Sequence, residues 1–121
     1  MAPPRRILVM DDEADMLVVL STVLEMEGYA VSVAADGEDA LRAVAAERPA
    51  LILLDLRMPG LSGPDVAEAL KAGGVVVPIL ALSAAPDVGA AAGEIGAAGW
   101  IAKPFDLLAL LEKVARLCPP A

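Results

Sequence analysis

Aromatic side chains are almost absent from this sequence: one tryptophan, one tyrosine and one phenylalanine, 2% of 121 residues. With 58% hydrophobic content, the core must be aliphatic and rich in alanine, and the length suits one domain. Cysteine is equally scarce. Cys118 has no partner in the chain, which excludes a disulfide and a cysteine-based zinc site and leaves an inert thiol as the simplest reading. Basic residues are outnumbered nine to seventeen, and the net charge of -8 disfavours direct contact with nucleic acid. Long hydrophobic runs are missing too. Only Ile7 to Met10 separate Arg5-Arg6 from Asp11, too short a run for a signal-peptide core, and no apolar stretch reaches membrane-spanning length. No membrane insertion is expected, and a cytoplasmic location is. No linker, low-complexity tract or sequence repeat interrupts residues 1–121, which are expected to form a single domain.

What is present is a set of aliphatic runs that end in chemistry. Leu51-Ile52-Leu53-Leu54 ends in Asp55, just before the turn Arg57-Met58-Pro59-Gly60. Ile7-Leu8-Val9-Met10 ends in Asp11-Asp12, Ile79-Leu80-Ala81-Leu82 ends in Ser83, and a fourth run ends in Lys103. Uniformly apolar runs of this length read as buried parallel strands, and open α/β sheets place their sites at the carboxyl ends of such strands. Carboxylates, a hydroxyl and an ammonium would then meet on one edge of the sheet.

The intervening segments read as helices. After a short frayed start over Met1 to Pro4 and a turn at Asp11-Asp12-Glu13, the residues Met16, Val19, Leu20, Val23 and Leu24 recur at helical spacing. Gly28 is a suitable stop. Leu17 and Val18 fall off that stripe, and Val18 is expected to be exposed. Tyr29 to Ala34 reads as a strand, Asp36-Gly37 as a turn and Glu38 to Ala46 as a helix. Pro64 opens a helix running to about Ala72, closed by Gly73-Gly74. Val75 to Leu82 is the next apolar stretch, with Pro78 expected where the strand begins. Asp87 to Ala98 can form a helix, weakened by Gly89, Gly93 and Gly96 at roughly 1 kcal/mol each. Gly99 to Ala102 is a short strand, and Phe105 to Leu117 a last helix with Asp106 near its start. Five strand-helix units imply a parallel sheet with right-handed crossovers and helices on both faces.

Asp11-Asp12, Asp55 within Asp-Leu-Arg-Met-Pro-Gly, Ser83-Ala84 and Lys103-Pro104-Phe105 together resemble the receiver domain of two-component response regulators, similar to the single-domain chemotaxis regulators. The resemblance spans about Arg6 to Leu117. It implies an α/β, flavodoxin-like (βα)5 doubly wound sheet of strand order 2-1-3-4-5. It also implies Asp55 as a phosphoacceptor, assisted by Lys103 and Ser83. Its expected ion is Mg²⁺, with Mn²⁺ as the alternative, held by Asp11, Asp12, Asp55 and the backbone carbonyl of Arg57. A switch through Ser83 and Trp100 and a cis Lys103-Pro104 bond complete the set.

The chemistry is coherent on its own terms. Aspartyl-phosphates are covalent intermediates, and a hard divalent cation would neutralise the three acids that an incoming phosphoryl group faces. Lys103 would balance the opposite side, pairing first with Asp55 and later with a phosphoryl oxygen. Ser83 would donate a hydrogen bond to that oxygen. In moving, it would vacate space into which Trp100 could turn.

The expected function is a phosphorelay switch, charged by a histidine kinase or histidine phosphotransfer protein. It would catalyse only its own phosphorylation and slow hydrolysis. After Leu117 come only Cys118-Pro119-Pro120-Ala121, so no output domain is expected and output would be a contact with an unknown partner. Val18 is a candidate for docking the donor. The fourth helix, Trp100 and the last helix form a candidate face for a partner or homodimer. Two rivals differ in class. A constitutive interaction scaffold would keep the fold without being phosphorylated. A Mg²⁺-dependent aspartyl-phosphate phosphohydrolase would need a second acid close after the nucleophile, where Arg57 stands.

Overall fold

The computed structural model describes residues 3–58 and 60–121. Met1 and Ala2 of the expected frayed start, and Pro59 of the expected turn, lie outside the described residues. Five strands, β1 (Arg6–Met10), β2 (Ala30–Ala34), β3 (Leu51–Asp55), β4 (Ile79–Ser83) and β5 (Gly99–Ala102), alternate with five helices. These are α1 (Ala14–Met26), α2 (Gly37–Ala46), α3 (Gly63–Ala72), α4 (Val88–Glu94) and α5 (Leu107–Leu117). The strands form one parallel sheet in the order β2-β1-β3-β4-β5, the flavodoxin-like arrangement.

The two-residue period of the strands divides the core. Ile7, Val9, Leu51, Leu53, Leu80, Leu82 and Ile101 share one face with Leu20 and Leu24 of α1 and with Leu110 and Val114 of α5. Leu8, Met10, Ile52, Leu54, Ile79 and Ala81 pack the other way, onto Ala40, Val44, Val66, Leu70, Val88 and Ala92 of α2, α3 and α4. β3 and β4 are buried at every residue. Burial on both faces is why they read as continuous apolar runs.

Several boundaries and orientations differ from the sequence reading. In α1, Val19 is 42% exposed, whereas Leu17 packs against the core. The inward line runs through Leu17, Leu20 and Leu24, and Val19 sits about 100° around the helix from Leu20. Val18 is 63% exposed, as expected. Gly28, at φ +96°, ends this unit in a conformation open to glycine. β2 begins at Ala30 rather than Tyr29. Residues 75–78 are not strand, and Pro78 immediately precedes β4. α4 is shorter than the expected Asp87 to Ala98, with Gly96 at φ +70° just beyond its end. α5 starts at Leu107 rather than Phe105 because the Asp106 side chain accepts from the Leu108 amide at 3.3 Å. Buried Cys118 accepts, through its carbonyl, a 2.6 Å hydrogen bond from the Tyr29 hydroxyl, which ties the end of α5 to the start of β2. Among the described residues, no helix is long and apolar enough to cross a membrane.

Candidate functional site

Strand parity assigns each site residue to a side of the sheet. Asp11 follows Ile7 and Val9 by steps of two, Asp55 follows Leu51 and Leu53, and Lys103 follows Ile101, so all three project toward α1 and α5. The ladder continues far enough to hold them. The Asp11 amide donates to the Ala34 carbonyl at 3.1 Å, the Leu56 amide to Leu82 at 2.9 Å, and the Lys103 amide to Ser83 at 2.8 Å. Ser83 and Trp100 have the opposite parity, which places both on the α4 side.

Lys103 Nζ joins the two inner acids, donating to Asp11 Oδ2 at 2.7 Å and to Asp55 Oδ2 at 3.1 Å. Lys103 pairs with Asp55 as expected, but its shorter bond is to Asp11, so the lysine is shared by the two acids. Glu13 Oε1 lies 3.8 Å from the same ammonium, a neighbour that the sequence reading placed only in the turn after the first strand. The remaining carboxylate oxygens take backbone donors. Asp11 Oδ1 accepts from the Glu13 amide at 2.9 Å, and Asp55 Oδ1 from the Arg57 amide at 3.0 Å. Asp11 and Asp55 are buried and Asp12 is exposed, and an oxygen from each lies within 4.8 Å of the others. Three carboxylates so close, two withdrawn from water and served by a single ammonium, form an oxygen donor set suited to a hard cation.

Burial raises the Asp55 carboxyl above its ordinary value of 3.8. The Arg57 amide and Lys103 pull it back, while the charge of Asp11 adds to the rise. For Lys103 burial opposes the charge, yet the hydrogen bonds and charges of Asp11 and Asp55 outweigh it and hold the ammonium above 10.5. Buried Ser83 Oγ accepts from the Ala85 amide at 3.0 Å, leaving its hydrogen free to be donated. The Lys103-Pro104 bond is cis. Trp100 is 46% exposed, with its indole against Gly89 of α4.

Two supporting residues escaped the sequence reading. Ser62 caps α3 through a reciprocal bond with Asp65. Gly63 lies so close to β3 that a Cβ there would overlap the Asp55 carbonyl oxygen and stand 2.8 Å from Leu56 Cα. The Ser-x-x-Asp spacing could have revealed the cap. The close approach of Gly63 has no local sequence signal.

A doubly wound sheet with a buried acid pair, a shared lysine and a free hydroxyl at its carboxyl edge defines a class of acidic-site α/β domains. Residues 7–115 match the family model described as response regulator receiver domain, and the chain belongs to that family. Among relatives, the transcriptional regulatory protein PrrA of Mycobacterium tuberculosis is 41% identical over 114 residues, covering 93% of this chain and 49% of PrrA. The DNA-binding response regulator MtrA of the same organism is 46% identical over 116 residues, covering 93% of this chain and 50% of MtrA. The chain thus spans about half the length of the curated relatives it matches. The expectation of no nucleic-acid contact therefore carries no further than the charge of these residues. Among solved structures, the chemotaxis protein CheY4 of Vibrio cholerae superposes with a TM-score of 0.86 at 31% identity, covering 93% of this chain and 98% of CheY4. TrrA of Thermotoga maritima, in complex with Mg(2+)-BeF, gives 0.84 at 34% identity with the same coverage.

Proposed function

We propose that residues 1–121 act as a single receiver domain, a phosphorylation-controlled switch of a two-component phosphorelay in which Asp55 is the phosphoacceptor. The observation that carries this reading is the Lys103 ammonium shared by buried Asp11 and Asp55 at the edge of the sheet. Asp11, Asp12, Asp55 and the Arg57 carbonyl would hold Mg²⁺, which supplies charge neutralisation and a grip on phosphoryl oxygens when bound. The donor class is a phosphohistidine on a histidine kinase or phosphotransfer protein. An Asp55 oxygen forms the new bond to phosphorus while the donor's P–N bond breaks, its electron pair leaving with the imidazole. Lys103 then follows the charge from the carboxylate to the phosphoryl oxygens, and the Ser83 hydroxyl donates to one of them. The complex of TrrA with Mg(2+)-BeF supports the ion and the anion together, because beryllium fluoride is a tetrahedral stand-in for a phosphoryl group.

Exposed Val18, beside the groove lined by Met16, Val19, Pro104 and Phe105, is the docking candidate for the donor. Alanine at Val18 that left the phosphotransfer rate and donor affinity unchanged would remove that assignment. Trp100 and Leu108, 46% and 68% exposed, mark the output or homodimer face formed by α4, β5 and α5. The reading is tested through Trp100, the only tryptophan. Acetyl phosphate with Mg²⁺ should change its emission in the wild type, and Asp55→Asn should abolish the change. Unaltered emission in the folded wild type would favour an interaction scaffold.

A further inference from the structure

We propose that Gly89 is the seat that holds Trp100 in its outward position, so that the indole and α4 act as one unit. A Cβ at position 89 would stand 3.2 Å from Trp100 Cε2, 3.3 Å from Cζ2 and 3.4 Å from Nε1. The nitrogen edge of the ring therefore rests against helix backbone that only the absence of a side chain exposes. Gly93, one turn later in the same helix, provides the contrast: nothing lies within 4 Å of a Cβ built there. Both glycines weaken a seven-residue helix, but only Gly89 makes room for another side chain.

The seat follows from parity and size. Trp100 pairs with Ala81 in the β4–β5 ladder, on the face that α4 covers. A methyl group on residue 89 would stand 3.2–3.4 Å from the ring, closer than ordinary contact, so the indole or α4 would have to give by a few tenths of an ångström. With hydrogen at that position, the ring packs on α4 and still leaves 46% of the residue exposed. Gly89 is thus a positioning residue for the resting state. Its role in signalling rests on the proposed phosphorylation of Asp55. If phosphorylation draws Trp100 off α4, contact with Gly89 opposes that step, and loss of the seat makes the activated arrangement easier to reach.

Gly89→Ala and Gly93→Ala separate the seat from helix propensity, since each adds the same methyl group to the same helix. Emission and acrylamide quenching of Trp100 should be alike in the wild type and Gly93→Ala. In Gly89→Ala the emission maximum and the quenching should both shift, as the added methyl group pushes the indole off its place on α4. Spectra and quenching in Gly89→Ala that match those of Gly93→Ala would overturn the seat. The shift should persist undiminished in Asp55→Asn protein, so the seat stands or falls independently of phosphoryl chemistry. The coupling is read by titrating wild type and both variants with Mg²⁺ and beryllium fluoride. Gly89→Ala should saturate at a several-fold lower fluoride complex concentration than Gly93→Ala. Equal midpoints with a displaced indole would overturn the coupling.

Discussion

Lys103 sets the charge balance of the site, because one ammonium serves two buried carboxylates at 2.7 and 3.1 Å. Lys103→Ala leaves both without a cation, and breaking a buried ionic cluster in this way costs about 3–5 kcal/mol. Urea denaturation in the presence of a chelator measures that loss. Because the folded protein holds the lysine above 10.5, its contribution is fully present below that value and fades as pH rises through the raised one. The deficit of the variant should therefore be unchanged across neutral pH. Asp55 behaves in the opposite sense to a stabilising carboxylate. Its folded value is raised, chiefly by burial, so its contribution is favourable below 3.8 and is lost as pH rises through the folded value. Metal-free Asp55→Asn should then melt above the wild type at neutral pH, with the gain vanishing in acid. A lower melting temperature at pH 7 would show that the bond to Lys103 outweighs burial. These residues were legible because each ends an aliphatic run. The sharing of Lys103 was not, since Asp11 and Asp55 have the same parity and no one-dimensional pattern tells which lies nearer.

The start of α3 shows how one element fixes the acceptor. Ser62 and Asp65 cap the helix reciprocally, and Gly63 lets it approach the backbone of Asp55 and Leu56. Ser62→Ala should cost about 0.5–2 kcal/mol and leave Asp55 chemistry intact. Gly63→Ala must displace backbone at the end of β3, costing roughly 1–3 kcal/mol by overpacking. It should also slow labelling by acetyl phosphate, as intact mass over time would show. Equal labelling rates in the two variants would remove Gly63 from the support of the site. The helical spacing of α1 was readable, but Val19 and Leu17 exchanged roles because the position of the sheet selects the buried line among several apolar residues. In α4 the glycines announced a weak helix but not how short it is. They could not announce that Gly89 meets Trp100, a contact made across the α4–β5 connection.

At the scale of the molecule, the parallel order β2-β1-β3-β4-β5 gathers Asp11, Asp55, Ser83 and Lys103 from four adjacent strand ends. Repeated strand-helix spacing made the parallel sheet readable, while the order of its strands came from the family resemblance. Connections of this length leave parallel crossovers as the solution. The same convergence concentrates negative charge, so an ion bound only by the folded state should raise the melting temperature. Mg²⁺ at a hundred times its dissociation constant would add about 2.7 kcal/mol. Asp12→Ala should abolish most of that shift, and an equal shift in the variant would place the ion elsewhere. The central claim, that Asp55 is a phosphoacceptor, is tested most directly by intact mass after incubation with acetyl phosphate and Mg²⁺. Wild type should gain one phosphoryl group, about 80 Da, while Asp55→Asn and a chelated sample should gain none. A folded wild type that gains nothing, or an Asp55→Asn protein that gains the same mass, would contradict the account.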